Sequence, residues 1–197
     1  MIRAAPALLL VCTVFLTACK EEAAQNLTPL DMTAETLGHF CQMNLLEHPG
    51  PKAQIHLEGM PGMPIYFSQV RDAIAYQRMP EQSQPVLAIY VNDMGAPGAT
   101  WDIPGEGNWI PAESAFYVVG SAREGGMGAP ETVPFSSRNA AEAFASAEGG
   151  EVLTLDAIPE KAVLAPVEMS SGETEEHFNS DGGDDDFATR LEAIHQH

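Results

Sequence analysis

Basic residues are scarce in this chain of 197 residues: nine Lys and Arg stand against 28 Asp and Glu, a net charge of −19. Nucleic-acid binders need basic surface, so that partner class is excluded. Anionic lipid repels such a chain, and basic partners and cations are favoured instead. Cysteine is scarce as well, with only Cys12, Cys19 and Cys41. Iron–sulfur clusters call for about four thiolates and are excluded. The apolar run from Ala7 to Leu16 is about ten residues, short of the ~20 that span a bilayer. No nucleophile–base pair and no phosphate-binding loop stand out, which weighs against an enzyme.

What is present begins with a leader. Arg3 precedes the apolar run, a pattern of secretion rather than of fold. The run ends in Leu16-Thr17-Ala18-Cys19, which resembles the lipobox of bacterial lipoproteins. That resemblance implies cleavage after residues 1–18, loss of Cys12 with them, and lipidation of Cys19. The alternative is an ordinary signal with two incidental cysteines. Loss of Arg3 takes the charge from −19 to −20. Membrane attachment then falls to the acyl chains, each buried CH₂ contributing ~0.8 kcal/mol, with more than one chain required. Lys20, where an aspartate would signal the inner membrane, resembles outer-membrane sorting.

Residues 19–33 read as the lipidated cysteine and a tether. At the other end, 166–197 reads as an acidic disordered tail: nine acidic residues and one arginine lie between Glu168 and Glu192. Residues 34–165 remain as the folded domain.

The domain echoes itself. Phe67-Ser68 aligns with Phe135-Ser136, Ala73 with Ala141, Ala75 with Ala143 and Tyr76 with Phe144, all at one offset. Each half, about 34–95 and 110–160, reads as strand, Gly/Met loop, helix and strand. Ser68 and Ser136 are expected as helix N-caps. Val86–Val91 and Val152–Leu155 are expected as closing strands. One half is too small to bury a core alone, so the two should pack as one α+β unit. Trp101 and Trp109, in the Gly/Pro-rich joint, are expected to close the seam.

The leader leaves one thiol, Cys41, in an oxidising compartment where cysteines usually pair. Cys41 and Met43 form a C-x-M pair, and on an extended chain residues i and i+2 share a face. Thiolate and thioether together select soft cations, Cu(I) above all. Zinc prefers more cysteine, histidine or carboxylate. Met60, Met63, Met94 and Met127 all lie beside glycine or proline, in loops rather than on apolar faces. Met127, in GGMGAPE, is the sharpest candidate for a third sulfur. Against this stands a plain reading in which Cys41 and Met43 pack in a core; for Met60, Met63 and Met94 plain packing is favoured over ligation. His48 reads as a turn residue, His56 as a strand residue and His39 as a flank; none is assigned as a ligand.

The blocks FCQMNLLEHPGPKAQIHLEGMP, YFSQVRDAIAYQRMPEQSQPVLAIYVNDMGAPGATWDIPGEGNWI, YVVGSAREGGMGAPE and VPFS resemble the NosL family, accessory lipoproteins of nitrous oxide reductase assembly. They run from about His39 to Pro159. The resemblance implies two related β-β-α-β units, similar to part of organomercurial lyase. It implies a periplasmic, membrane-anchored carrier of Cu(I) that serves nitrous oxide reductase assembly proteins. The C-x-M motif falls on Cys41 and Met43, and the GGMG methionine on Met127. A metal-free assembly scaffold and an organomercurial-lyase-like enzyme remain as alternatives.

Overall fold

The computed structural model describes residues 24–167. The leader, Cys19 and the acidic tail from Glu168 onward lie outside the described residues.

The internal echo is realised as two similar sheets. In the first half, β1 (Ala53–Leu57), β2 (Ile65–Phe67), α1 (Val70–Arg78) and β3 (Val86–Val91) follow one another. In the second, β5 (Phe116–Val119), β6 (Val133–Phe135), α2 (Arg138–Glu148) and β7 (Glu151–Thr154) repeat that order. A short strand β4 (Ile110–Pro111) joins the first sheet, and α3 (Glu160–Leu164) follows β7. The strand orders are β2-β1-β3-β4 and β6-β5-β7, with antiparallel pairs throughout. The first strand of each unit is therefore central, and its two successors flank it.

Packing repeats with the topology. Ala73 and Ala141, equivalent positions on the two helices, are both fully buried, where only a small side chain lets helix approach sheet. The Phe67 and Tyr76 rings lie 5.5 Å apart, and their counterparts Phe135 and Phe144 lie 5.2 Å apart. Such aromatic pairs add ~0.5–1.5 kcal/mol beyond their buried area.

The halves are not independent. Tyr117 on β5 is fully buried in the core of the first half, and its hydroxyl donates to the Ala112 carbonyl at 2.6 Å. Val118, pointing to the opposite face, packs under α2 with Val133, Phe135 and Ala141. One strand thus serves two cores. Arg71 donates to the carbonyls of Ala162 and Ala165, and Arg78 to those of Leu155 and Ile158. These bonds fasten α1 to the chain that follows the second unit. Asp93 Oδ1 accepts from the Ser136 amide at 3.0 Å, joining the end of β3 to the end of β6.

The structure revises several expectations. The helices start one residue late: the N-caps are Gln69 and Ser137, not Ser68 and Ser136. Ser137 accepts from the Ala140 amide, whereas the Gln69 side chain makes no cap bond. The closing strand of the second half is Glu151–Thr154, one residue earlier than expected. Trp101 does sit between the halves, since its carbonyl accepts from the Gly50 amide while Arg123 stacks 5.2 Å from its ring. Trp109 instead packs within the first half, 6.5 Å from the Tyr66 ring, and its ring N–H donates to Asp31. The described part of the tether is bound to the domain. Gln54 exchanges hydrogen bonds with both backbone groups of Leu30 at 2.9 Å, and Gln25 donates to the Leu57 carbonyl. The physical reason is β1, buried on both faces: Gln54 and His56 point away from the core and need a cover with polar backbone.

Candidate metal centre

Leu37 and Asn44 pair across a tight hairpin whose tip carries Cys41 and Met43. The Gly38 amide donates to the Met43 carbonyl at 3.0 Å, and the Gln42 amide to the Gly38 carbonyl at 2.9 Å. Gln42 has φ of 55°, and no other non-glycine residue among those described has positive φ. The tip is therefore coiled, not extended, and the two sulfurs do not share a face by strand alternation. The backbone curls so that the Cys41 thiol lies 4.0 Å from the Met43 carbonyl. Cys41 is half-buried and unpaired, while Met43 is 43% exposed. Gly38 lies beneath the thiol: a Cβ there would come within 2.4 Å of Cys41 Sγ.

A 3-10 turn, Leu45–Glu47, follows at once. Asn44 caps it by accepting from the Leu46 amide at 3.0 Å, and Leu45 is fully buried as the hairpin's root. The turn delivers His48, whose Nδ1 lies 3.0 Å from the Gly126 carbonyl. The carbonyl can only accept, so His48 donates from Nδ1. Gly126 packs so closely that a Cβ would meet His48 Cβ at 2.7 Å and the Pro49 carbonyl at 3.0 Å.

Met127 comes next. Its loop is a closed turn in which the Gly128 amide donates to the Gly125 carbonyl at 2.9 Å. The Met127 amide donates to Gln69 Oε1 at 2.9 Å, and its side chain is 43% exposed. The His48 bond thus ties the Met127 loop of the second half to the chain that follows the Cys41–Met43 hairpin.

The other candidates go elsewhere. His39 packs against Phe40, Phe67 and Tyr76 at 5.2–5.6 Å between ring centroids, an aromatic cluster rather than a ligand set. Met60 packs against the first core and Met94 against the second, where packing is the sufficient explanation. Met63 is 58% exposed on the β1–β2 loop. His56 is buried on β1 beside Tyr90, and burial holds its pKa below the ordinary value.

Two buried titratable side chains lie behind these loops, and neither was singled out in the sequence. Lys52 is 1% exposed and donates to the Pro49 and Gly50 carbonyls, which fixes the chain leaving His48. Burial lowers its pKa to about 8, although Glu131 and Cys41 both favour its charged form. Glu131 accepts from the Arg71 and Thr132 amides at 3.0 and 2.8 Å. Burial raises its pKa to about 8, only partly offset by those two bonds, so its carboxyl is largely neutral at pH 7. Oε2 lies against Gly125, at the root of the Met127 loop. A lysine after proline and a glutamate in a loop carry no periodic signal, so only the fold reveals that they are buried.

The donor set has a definite character. Among the described residues, no three His, Cys, Asp or Glu side chains gather as they would for zinc or a hard cation. The candidate donors are instead the Cys41 thiol and the exposed thioethers of Met43 and Met127. Such donors fit a soft, low-coordinate monovalent ion such as Cu(I).

Comparison with known proteins agrees in extent with the described domain. A family model described as NosL matches residues 29–163. A copper-binding lipoprotein NosL of Achromobacter cycloclastes is 65% identical over 179 residues, covering 91% of this chain and 89% of the relative. Its counterpart from Stutzerimonas stutzeri is 33% identical over 165 residues, covering 82% and 83%. The crystal structure of the copper chaperone NosL from Shewanella denitrificans superposes with a TM-score of 0.61 at 31% identity, covering 66% of this chain and 94% of that one.

Proposed function

The chain belongs to the NosL family, and from that membership we propose that it binds Cu(I) as cargo and hands it to nitrous oxide reductase assembly proteins in the periplasm. Cys41, Met43 and Met127 are the proposed donors. The observation that carries the reading is the bond between the His48 ring and the Gly126 carbonyl. It ties the Met127 loop to the chain leaving the hairpin that holds Cys41 and Met43, which supports a site with donors from both halves.

The chemistry suits a carrier. Cys41 as thiolate cancels the charge of Cu(I), so the loaded site is locally neutral. Thioethers are neutral and weaker donors; they set the preference for a soft ion without trapping it. Met43 and Met127 are both exposed, so an incoming ligand from the receiving protein can displace one sulfur at a time. The names of the relatives, two copper-binding lipoproteins and a copper chaperone, support a carrier rather than an enzyme. Membrane attachment rests on lipidation of Cys19, with sorting to the outer membrane through Lys20.

Competition titration of Cu(I) against a chromophoric chelator tests the donor set. Cys41→Ala should abolish tight binding, and Met43→Ala and Met127→Ala should weaken it by less. Affinity should fall as pH drops, because protons compete with Cu(I) for the thiolate. Wild-type affinity in Cys41→Ala would place the site elsewhere, and no Cu(I) binding by the unaltered protein would favour the scaffold reading. For the anchor, Cys19→Ser should release the protein from membranes; a variant still processed and membrane-bound would refute it.

A further inference from the structure

We propose that Gln69 is the positioning residue that seats the Met127 thioether at the copper site. The inference rests on the donor set proposed above and assigns the device that holds its most distant member.

Gln69 is 1% exposed, and its amide bridges two groups. Oε1 accepts from the Met127 amide at 2.9 Å, and Nε2 donates to Asp72 Oδ2 at 3.3 Å. The carboxylate can only accept, so the NH₂ faces Asp72 and the oxygen is left to face Met127. The orientation of the amide is thereby determined rather than free.

The internal repeat shows that this is a diverted role. Gln69 and Ser137 are equivalent, 68 residues apart, and both are helix N-caps. Ser137 does what an N-cap does and accepts from the Ala140 amide. Gln69 leaves its own helix without a side-chain cap. A side-chain cap stabilises a helix N-terminus, so α1 gives up local stability. What it gains instead is a bond 58 residues away, to the backbone of a proposed copper ligand.

The loop depends on that bond. Gly125 packs on the Gln69 side chain so tightly that a Cβ would lie 2.7 Å from both its Cγ and its Oε1. The Met127 side chain is exposed, so the backbone is what holds the residue. Two hydrogen bonds tie the loop to the first half. One is His48 to the Gly126 carbonyl; the other is Gln69 to Met127 itself. Without Gln69, the amide of the residue that carries the sulfur loses its partner, and only the His48 bond still ties the loop to the first half.

The test uses the full chain, with Cu(I) itself as probe. Affinity and the number of sulfur neighbours in copper X-ray absorption would be measured for Gln69→Leu, Gln69→Glu/Asp72→Asn, Met127→Ala and the Gln69→Leu/Met127→Ala double variant. Gln69→Leu should weaken Cu(I) by about 10- to 100-fold, the range for a residue that orients a ligand. It should also lose one sulfur, as Met127→Ala does, and the double variant should be no weaker than Met127→Ala. Gln69→Glu/Asp72→Asn retains an oxygen for the Met127 amide and a donor across from it, and should keep three sulfurs. Three sulfurs and wild-type affinity in Gln69→Leu, with Met127→Ala impaired, would overturn the proposal. An unimpaired Met127→Ala would instead overturn the donor set on which it rests. A measurement on the unaltered chain guards against a Gln69 variant that fails to fold. The Met127 amide should exchange slowly with deuterium although its side chain is exposed, and exchange at the rate of an open loop would overturn the proposal.

Discussion

Replacing Glu131 by Gln should make the protein more stable at neutral pH and leave it nearly unchanged at pH 5. Glu131 is fully buried, and both backbone bonds it accepts end on Oε1. Glutamine keeps that oxygen and resembles the protonated acid in shape. The carboxyl's pKa is about 8 in the fold against 4.5 when exposed. Between those values the folded state holds one proton more than the unfolded chain. Stability is therefore unaffected by this group below pH 4.5 and falls as pH rises toward 8. At ~1.4 kcal/mol per pH unit, the loss from pH 5 to pH 7.5 is about 3 kcal/mol. Lys52 titrates at about 8 and so leaves the slope in that window largely alone. Urea unfolding of the copper-free protein and of Glu131→Gln, at half-unit steps from pH 5 to 7.5, measures the difference in slope. The wild-type curve should fall relative to the variant's by about one proton's worth. Parallel curves would show that Glu131 is ionised in the fold at neutral pH, and that burial does not control it.

Two further substitutions read the centre and the cores. Gly38→Ala puts a methyl where Cys41 Sγ now lies, and the thiol must shift; Cu(I) affinity should drop, while far-UV circular dichroism stays that of the wild type. Phe67→Ala and Phe135→Ala remove equivalent buried rings, each paired with an aromatic on its own helix. Each should cost about 3–5 kcal/mol in urea unfolding. Because Tyr117 ties the two cores together, each variant should still unfold in one transition; separate transitions for the halves would refute that coupling.

The repeat was legible in the sequence because its signals are local. Phe67 and Phe135, Ala73 and Ala141, Tyr76 and Phe144 recur at one offset, and strand and helix periods bracket them. The soft character of the centre was legible for a similar reason: Cys41 and Met43 are neighbours, and glycines flank Met127. Even so, the local geometry was misjudged where an unusual backbone intervened. C-x-M suggests an extended pair, but the left-handed Gln42 curls the hairpin and separates sulfur placement from strand alternation. The caps slipped by one residue because serine is the better N-cap, yet Gln69 occupies the position and spends its amide elsewhere.

By itself, then, the sequence determined the two-fold plan of strand and helix and the kind of ion the candidate donors prefer; both are set by residues within a few positions of one another. The tertiary structure alone decided which loops are tied together. The bond from His48 to Gly126 spans 78 residues, and that from Gln69 to Met127 spans 58. Neither pairing has a period or a motif, because each depends on how two sheets pack across Tyr117. The burial of Lys52 and Glu131 was decided at the same level. A charged side chain looks solvated in any sequence, and only the closing of one half upon the other removes its water.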